Sequence, residues 1–213
     1  MKLECIRPDM EIHYTTDGSE PTATSPLYEK IVPVKEALTL KGATFAYGRQ
    51  MGKTLILPVR WNLATAKPVL GTNPTEKLLT NGIRGSLKYS DFEWCSWADN
   101  DSVSFTIDLL KPEMLNTLTL GCITNNGMAI HKPASVRVEV SDDNSKFREA
   151  VVQSFTSEEI FREGNFIENL SLKLGGTQAR YVRVTAKGPG VCPASHVRPG
   201  QTSRIFFDEV MLE

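Results

Sequence analysis

The sequence predicts an all-β protein made of two β-sandwich domains in one chain. Apolar and polar residues alternate with a period of two in several segments, most clearly over residues 103–109 and 136–140. This period is typical of half-buried strands. Glycine, proline and aspartate separate the segments at short intervals, and only residues 157–162 suggest a helical turn. Strands spaced in this way without intervening helices favour a sandwich or a jelly roll.

The first predicted domain contains short strands that end at polar turns. In the stretch IHYTTDGSEPT, Ile12 and Tyr14 would share one face of a strand. Asp17-Gly18 is a turn dipeptide, and Pro21 cannot donate to a strand ladder, so the strand has to stop there. Strands are expected at residues 2–6, 11–16, 31–34, 38–45 and 54–60.

A domain boundary is predicted where the alternation weakens. Residues 62–70 are weakly patterned and contain Pro68, so we expect a linker there. The domains should then cover residues 1–66 and 67–213. In the second domain, strands are expected at residues 103–109, 136–140, 170–174, 181–184 and 205–210.

Composition excludes several classes of protein. The chain has 213 residues, 24 basic and 25 acidic, and a net charge of −1. A nucleic-acid binder would need a basic excess, and no apolar run is long enough for membrane insertion. The four cysteines (Cys5, Cys95, Cys122, Cys192) contain no C-x-x-C pair and no zinc-ligand spacing. Free, partly buried thiols are expected, with a disulfide of unspecified pairing as the alternative.

Part of the first domain resembles a known spacer module. Tyr14 to Thr22, followed by Ser25 and Tyr28, is similar to the C-terminal module of bacterial chitobiases and β-N-acetylhexosaminidases. The similarity extends through Leu38-Thr39-Leu40-Lys41-Gly42-Ala43 to about Trp61. That module is itself similar to a fibronectin type III domain. The resemblance implies a small sandwich that has no active site.

The second domain resembles the discoidin, or coagulation factor 5/8 type C, domain, a galactose-binding-like jelly roll. The matching pieces are, in order, Leu79-Thr80-Asn81-Gly82, Trp94, and residues 107–109, 136–143, 179–184 and 207–210. Together the two resemblances imply the C-terminal region of a Bacteroidetes β-N-acetylhexosaminidase of glycoside hydrolase family 20. Such a parent would be periplasmic, cell-surface or secreted. No signal peptide begins this sequence, so we expect it to be a piece of a longer protein.

The chain itself is not expected to be an enzyme. Asp208-Glu209 resembles the catalytic acid pair of that hydrolase family, but neighbouring side chains on a strand point to opposite faces. The family's (β/α)8 catalytic barrel also needs about 250 residues and eight helices. The expected function is carbohydrate binding that positions the parent enzyme on glycans of galactose or N-acetylhexosamine type. The alternative is a structural module that packs on the parent's catalytic domain without binding sugar.

The resemblance also implies a structural calcium ion. In sugar-binding discoidin domains, oxygen atoms near the first loop and a glutamate in the last strand hold calcium, which favours hard oxygen ligands. Asn81 and Glu209 match these positions, and Arg84 and Ser86 offer further oxygens. Asn81 stands where aspartate is more usual. The alternative is a simple turn at Asn81-Gly82 and a satisfied acid at Glu209.

Three loops carry the residues expected to bind sugar, because aromatic faces stack on sugar rings and polar side chains bond their hydroxyls. The loops cover residues 92–102, 123–132 and 188–203. Trp97 is expected as an exposed stacking platform or, alternatively, a core residue, and Trp94 is expected in the core. The other expected sugar-binding residues, each with a structural role as the alternative, are Asn125, His131, His196 and Arg198.

Overall fold

A computed structural model of the protein describes residues 1–97 and 102–213. The chain divides into two compact units, Met1–Trp61 and Asn62–Glu213. Strands dominate both units, which confirms the all-β prediction. The predicted helical turn is present as α1 (Ser157–Ile160), which begins with a capping box between Thr156 and Glu159.

The first unit contains a four-stranded antiparallel sheet. Its strands are β1 (Glu11–Thr15), β2 (Leu38–Ala46), β3 (Arg49–Gln50) and β4 (Leu55–Val59). β2 pairs with all three of the others. The stretch IHYT (residues 12–15) therefore lies on β1. Gly18 follows it with a φ of +79°, a left-handed conformation that glycine adopts without strain.

Irregular segments, and not a second sheet of strands, cover the first unit's core. The expected strands at residues 2–6 and 31–34 do not form, although Met1 and Val32 exchange backbone hydrogen bonds. Leu3 and Val32 pack on Leu40 of β2. Pro33 lies within residues 31–34, and proline cannot donate to a ladder.

The second unit contains a seven-stranded sheet in which all strand pairs are antiparallel. Along the sheet the order is β6 (Cys95–Trp97), β11 (Ile205–Leu212), β7 (Ser102–Asn125), β10 (Asn165–Lys187), β8 (Ser135–Ser141) and β9 (Arg148–Ser154), with β5 (Val69–Leu70) also paired to β7. Every strand predicted for this domain lies within one of these elements. Two 3₁₀ helices occupy Glu76–Thr80 and Asn126–Met128.

The long strands β7 and β10 each contribute to both layers of the sandwich. The first part of β7 and the last part of β10 pair with each other and with β5 and β8. The last part of β7 pairs with the first part of β10 and with β11. Between the two parts, Leu110, Gly175 and Gly176 have positive φ and the register shifts. Phe105 and Leu118, one from each part of β7, belong to the same buried core.

The segment expected to be a linker is part of the second unit. Leu63 donates its backbone N–H to Leu212, and Leu212 donates to the Asn62 side chain. Ala64 is fully buried in the core. The division therefore falls between residues 61 and 62, and not between residues 66 and 67.

All four cysteines are free, as expected. Cys95, Cys122 and Cys192 are buried, and Cys5 is half-buried. Burial raises the pKa of the Cys95 thiol to about 12, so this thiol is protonated at neutral pH. Among the described residues, no helix has the length and apolar character that crossing a membrane requires.

Candidate functional site

Four loops of the second unit meet at one end of its sheet, which we call the loop end: residues 86–93, 126–131, 161–165 and 191–204. Asn126 donates its N–H to Gly164, and the Asn165 side chain donates to the Leu87 carbonyl. His131 donates its N–H to Arg204. These contacts gather polar loops at one place on a rigid scaffold, which is where binding sites are commonly built.

The loop of residues 191–204 is folded by its own backbone. Cys192 donates to the Gln201 carbonyl and accepts from the Gly200 N–H, so the loop turns back on itself. The N–H of His196 is bonded to the Pro193 carbonyl within the turn. His196 consequently points inward and is 8% exposed, whereas Val197 is 68% exposed.

A cavity of about 110 Å³ opens at the loop end. It is lined by Asn126, Phe161, Glu163, Pro193, Ser195, His196 and Val197. The wall therefore combines an aromatic ring and an aliphatic side chain with an amide, a carboxylate, a hydroxyl and an imidazole. This combination can contact an apolar face of a small polar ligand and also bond to its hydroxyl groups.

His131, Cys192 and His196 form a buried cluster beneath this cavity. One ligand atom from each residue lies within 4.8 Å of the others. The rings of His131 and His196 meet edge to face, with centroids 5.0 Å apart, and Phe161 packs against both. Burial, and then the neighbouring His196, lower the pKa of His131 to about 4, and the nearby Ile160 backbone only partly offsets this. His131 is therefore neutral at physiological pH.

The structure brings together only part of the predicted sugar-binding set. Asn125 is half-buried, Arg198 is exposed, and His196 lines the cavity. His131 is fully buried, so the expectation that it contacts a glycan is not met. It lies behind Phe161 and His196 and is not on the surface.

Trp97 is a core residue and not an exposed platform, which resolves the two alternatives. It lies on β6, which pairs with β11, and it is 8% exposed. Its ring stacks on Phe105 and meets the edge of Phe207. Trp94 is 5% exposed, as expected of a core residue, and donates to the Ser86 carbonyl. Residues 98–101 of the same predicted loop lie outside the described residues.

The residues expected to hold calcium are only partly assembled for it. Glu209 is fully buried, accepts from the Gly82 N–H at 3.0 Å, and leaves its other oxygen without a hydrogen-bond partner among the described residues. Asn81 uses its side-chain oxygen for the Ile83 N–H. Burial raises the pKa of Glu209 to about 9, against the effect of the Gly82 N–H. The free Glu209 oxygen fits a cation, which would replace the proton that the group otherwise holds.

Arg84 and Ser86 have other partners. The Arg84 side chain has no oxygen and its guanidinium bonds to Asp208 at 2.7 Å, so a calcium ion could use only the backbone oxygen of this residue. The Ser86 carbonyl accepts from Trp94, and its hydroxyl accepts from the Lys88 N–H. The calcium set that fits the structure is therefore smaller than the predicted one and centres on Glu209.

The predicted sugar-binding loops contain five of the seven wall residues, although only His196 among them was expected to bind sugar. Phe161 and Glu163 lie outside those loops, and no local pattern marks them as ligand-binding. A signal for the buried cluster did exist: Cys192 and His196 are separated by three residues, which is a spacing that metal ligands use.

The fold and the site define an all-β chain in which a small unit with one four-stranded sheet precedes a discoidin-like sandwich that presents a cluster of polar loops. Family models agree with this description. Residues 1–55 match the chitobiase/beta-hexosaminidase C-terminal domain, and residues 64–197 match the F5/8 type C domain. The second match covers more than half of the chain, so the chain belongs to the F5/8 type C domain family.

Solved structures with similar folds come from several bacteria. CpGH89CBM32-6 of Clostridium perfringens is 18% identical, with a TM-score of 0.47, over 72% of this chain and 98% of that one. A fucose binding module of Streptococcus pneumoniae is 17% identical, with a TM-score of 0.44, over 72% and 97%. The C-terminal domain of a Bacteroides fragilis chitobiase is 16% identical, with a TM-score of 0.39, over 64% and 78%. No curated protein matches the chain.

Proposed function

We propose that the second unit binds a glycan at its loop end and that the chain is the non-catalytic accessory region of an exported β-N-acetylhexosaminidase. The cavity at the loop end is the observation that carries the proposal. Its wall offers apolar surface from Phe161 and Val197 beside the polar groups of Glu163, Ser195 and His196. Sugars need both, because they have apolar C–H faces and a ring of hydroxyl groups.

The first unit acts as a spacer in this proposal, and the parent's catalytic domain is the intramolecular partner. The match of residues 1–55 to a module described by its place in chitobiases and hexosaminidases supports this assignment. The parent would work in the periplasm, on the cell surface or outside the cell. The glycan would be of galactose or N-acetylhexosamine type.

A structural calcium ion belongs to the same proposal. Glu209 would hold it through the oxygen that has no other partner, and backbone oxygens of the loop at Asn81 and Arg84 would complete the set. When bound, the ion would supply positive charge to a carboxylate that is otherwise buried. Its role would be to fix the first loop against the last strand.

Titration with a panel of glycans, followed by amide chemical shifts, tests sugar binding directly. A shallow cavity covers one or two sugar rings, so we expect millimolar to high micromolar affinity, about −4 to −6 kcal/mol. Shifts should concentrate at the loop end. Glu163→Gln should weaken binding about tenfold or more, since a hydrogen bond to a charged group contributes about 1.5–3 kcal/mol.

The matched control is Glu158→Gln, which changes another exposed acid, on α1, that does not line the cavity. It should leave binding unchanged. Equal losses of glycan affinity in both variants would mean that binding does not take place in the cavity. If no glycan shifts any amide, the sugar proposal fails, and packing of the loop end on the parent's catalytic domain becomes the better account.

A further inference from the structure

The buried cluster of His131, Cys192 and His196 has a chemical composition that sugar binding does not explain. All three are at least nine-tenths buried, at 0%, 3% and 8% exposure. They come from two separate segments: His131 lies three residues after the 3₁₀ helix Asn126–Met128, and Cys192 and His196 lie in the loop of residues 191–204. Two imidazoles and a thiol are the donor set of a soft or borderline metal ion, and not of calcium.

His131 supplies a second, independent observation. Within the described part of the chain, neither of its ring nitrogens has a hydrogen-bond partner of normal geometry. Buried polar groups are almost always bonded, and a missing partner calls for an explanation such as an ion. The rings of Phe161 and His196 meet it edge to face, and the Ile160 backbone is also near it, without a hydrogen bond of normal geometry.

The other two residues are held in place by contacts typical of metal-ligand surroundings. The His196 Nδ1 accepts the Arg198 N–H at 3.0 Å, and its Nε2 lies 3.3 Å from the Asn126 amide. An ion at Nδ1 would replace the Arg198 contact, and Nε2, which then carries the ring proton, could donate to the Asn126 side-chain amide and orient the ring. Cys192 Sγ lies 3.3 Å from the Ser203 hydroxyl, which can donate to a thiolate.

We propose that His131, Cys192 and His196 form a binding site for a transition-metal ion, Zn²⁺ in the first place. In a tetrahedral zinc site, ligand atoms are about 3.4–3.7 Å apart, as follows from bonds of about 2.1 Å to nitrogen and 2.3 Å to sulfur. The three atoms already lie within 4.8 Å of one another. Side-chain movements of about 1 Å would bring the three atoms to the separations found in a tetrahedral zinc site. The neighbouring cavity has room for water as the fourth ligand.

The ion would cross-link the loop of residues 191–204 to the segment that contains His131. Both segments border the cavity, so the ion would hold its floor in place without contacting the ligand in it. Because the thiol loses its proton on binding, metal affinity should rise with pH. This inference does not depend on whether the cavity binds sugar.

Cobalt titration of the metal-free full-length chain tests the proposal, with a non-thiol reductant present and calcium in excess to occupy any oxygen-rich site. Co²⁺ bound by a thiolate gives a charge-transfer absorption in the near ultraviolet. We expect this band to saturate at one ion per chain and to disappear when Zn²⁺ is added. No band in the wild-type chain would overturn the proposal.

Cys192→Ser should abolish the band and weaken binding more than about tenfold, since even outer-shell changes cost 10–100-fold. The matched control is Cys5→Ser, at a half-buried cysteine of the first unit. This variant should keep both the absorption band and the metal affinity of the wild-type chain. A band that survives Cys192→Ser would place the ion elsewhere. If that variant does not fold, alkylation of the wild-type chain decides: Zn²⁺ should slow modification of Cys192 at least tenfold and leave Cys5 unaffected. Equal rates at Cys192 with and without Zn²⁺ would overturn the site.

Discussion

Replacing Arg84 with methionine should destabilise the second unit more than any substitution in an exposed ion pair. Arg84 donates to Asp208 at 2.7 Å, and Asp208 is fully buried. Methionine keeps much of the apolar stem and removes only the guanidinium. The substitution therefore leaves a carboxylate inside the protein without its countercharge.

The expected loss can be estimated from the remaining contacts. Removing one partner of a buried pair costs about 3–5 kcal/mol. Asp208 keeps the N–H groups of Gly85 and Glu209, at 2.9 and 2.7 Å, so the lower end, about 3 kcal/mol, is expected. For a unit of this size, that corresponds to a fall of roughly 6–12 °C in the unfolding midpoint.

The pH dependence of the loss distinguishes a charge effect from a packing effect. Burial already raises the pKa of Asp208, and Arg84 opposes this. Without Arg84 the folded-state pKa rises further above the unfolded value of about 3.9, so the folded state holds a proton that the unfolded state releases. Stability of the variant is then greatest below pH 3.9 and falls as pH rises through the folded pKa, by at most about 1.4 kcal/mol per pH unit. The difference in unfolding free energy between the variant and the wild-type chain should therefore become smaller at acid pH.

Urea unfolding followed by tryptophan fluorescence measures this effect, because Trp94 and Trp97 both lie in the core of the second unit. The control is Arg137→Met, which breaks a 3.4 Å pair with Glu149 whose side chains are both 55% exposed. It should cost less than about 1 kcal/mol. The reasoning is wrong if Arg84→Met costs no more than the control, or if its cost is the same at pH 4 and pH 7.

Three further outcomes follow from the same unit. Gly121→Ala should cost about 1–3 kcal/mol by urea unfolding, because its new Cβ would lie 2.0 Å from the Asp208 carboxylate; an unchanged midpoint would contradict this. Calcium at a hundredfold excess over its Kd should raise stability by about 2.7 kcal/mol in a thermal melt. Glu209→Gln should remove that gain, and an equal gain in the variant would place the ion elsewhere. In calorimetry, fragment 62–213 should unfold at the same temperature as the second unit of the whole chain. Fragment 71–213 should unfold at a lower temperature because it lacks β5. Equal unfolding temperatures for the two fragments would mean that residues 62–70 are a linker.

The strands were predictable because their information is local. Alternation in residues 103–109 places one face of that strand in the core, and the structure confirms this. Residues 205–210 also lie on a strand as predicted, but all six are buried. The irregular segments of the first unit were predicted as strands from their apolar residues, and the structure shows Leu3 and Val32 buried. Regular pairing also requires a partner strand, and the local pattern does not report whether one exists.

The site was less predictable because it depends on contacts between distant residues. Trp97 looks like a loop residue among aspartates and asparagines, yet the pairing of β6 with β11 turns it toward Phe105. His131 is 61 positions before Cys192, and only the path of the loop of residues 191–204 brings them together. Pairing across such distances is decided by the whole topology.

The bonds between Leu63 and Leu212 have an architectural consequence. They place the first and last residues of the second unit side by side. β11 runs from Ile205, at the loop end, to Leu212, a span of about 23 Å at the usual rise per residue. Both termini of this unit therefore lie at the end opposite its loops, and termini that meet in this way are what allows a domain to be inserted into another chain.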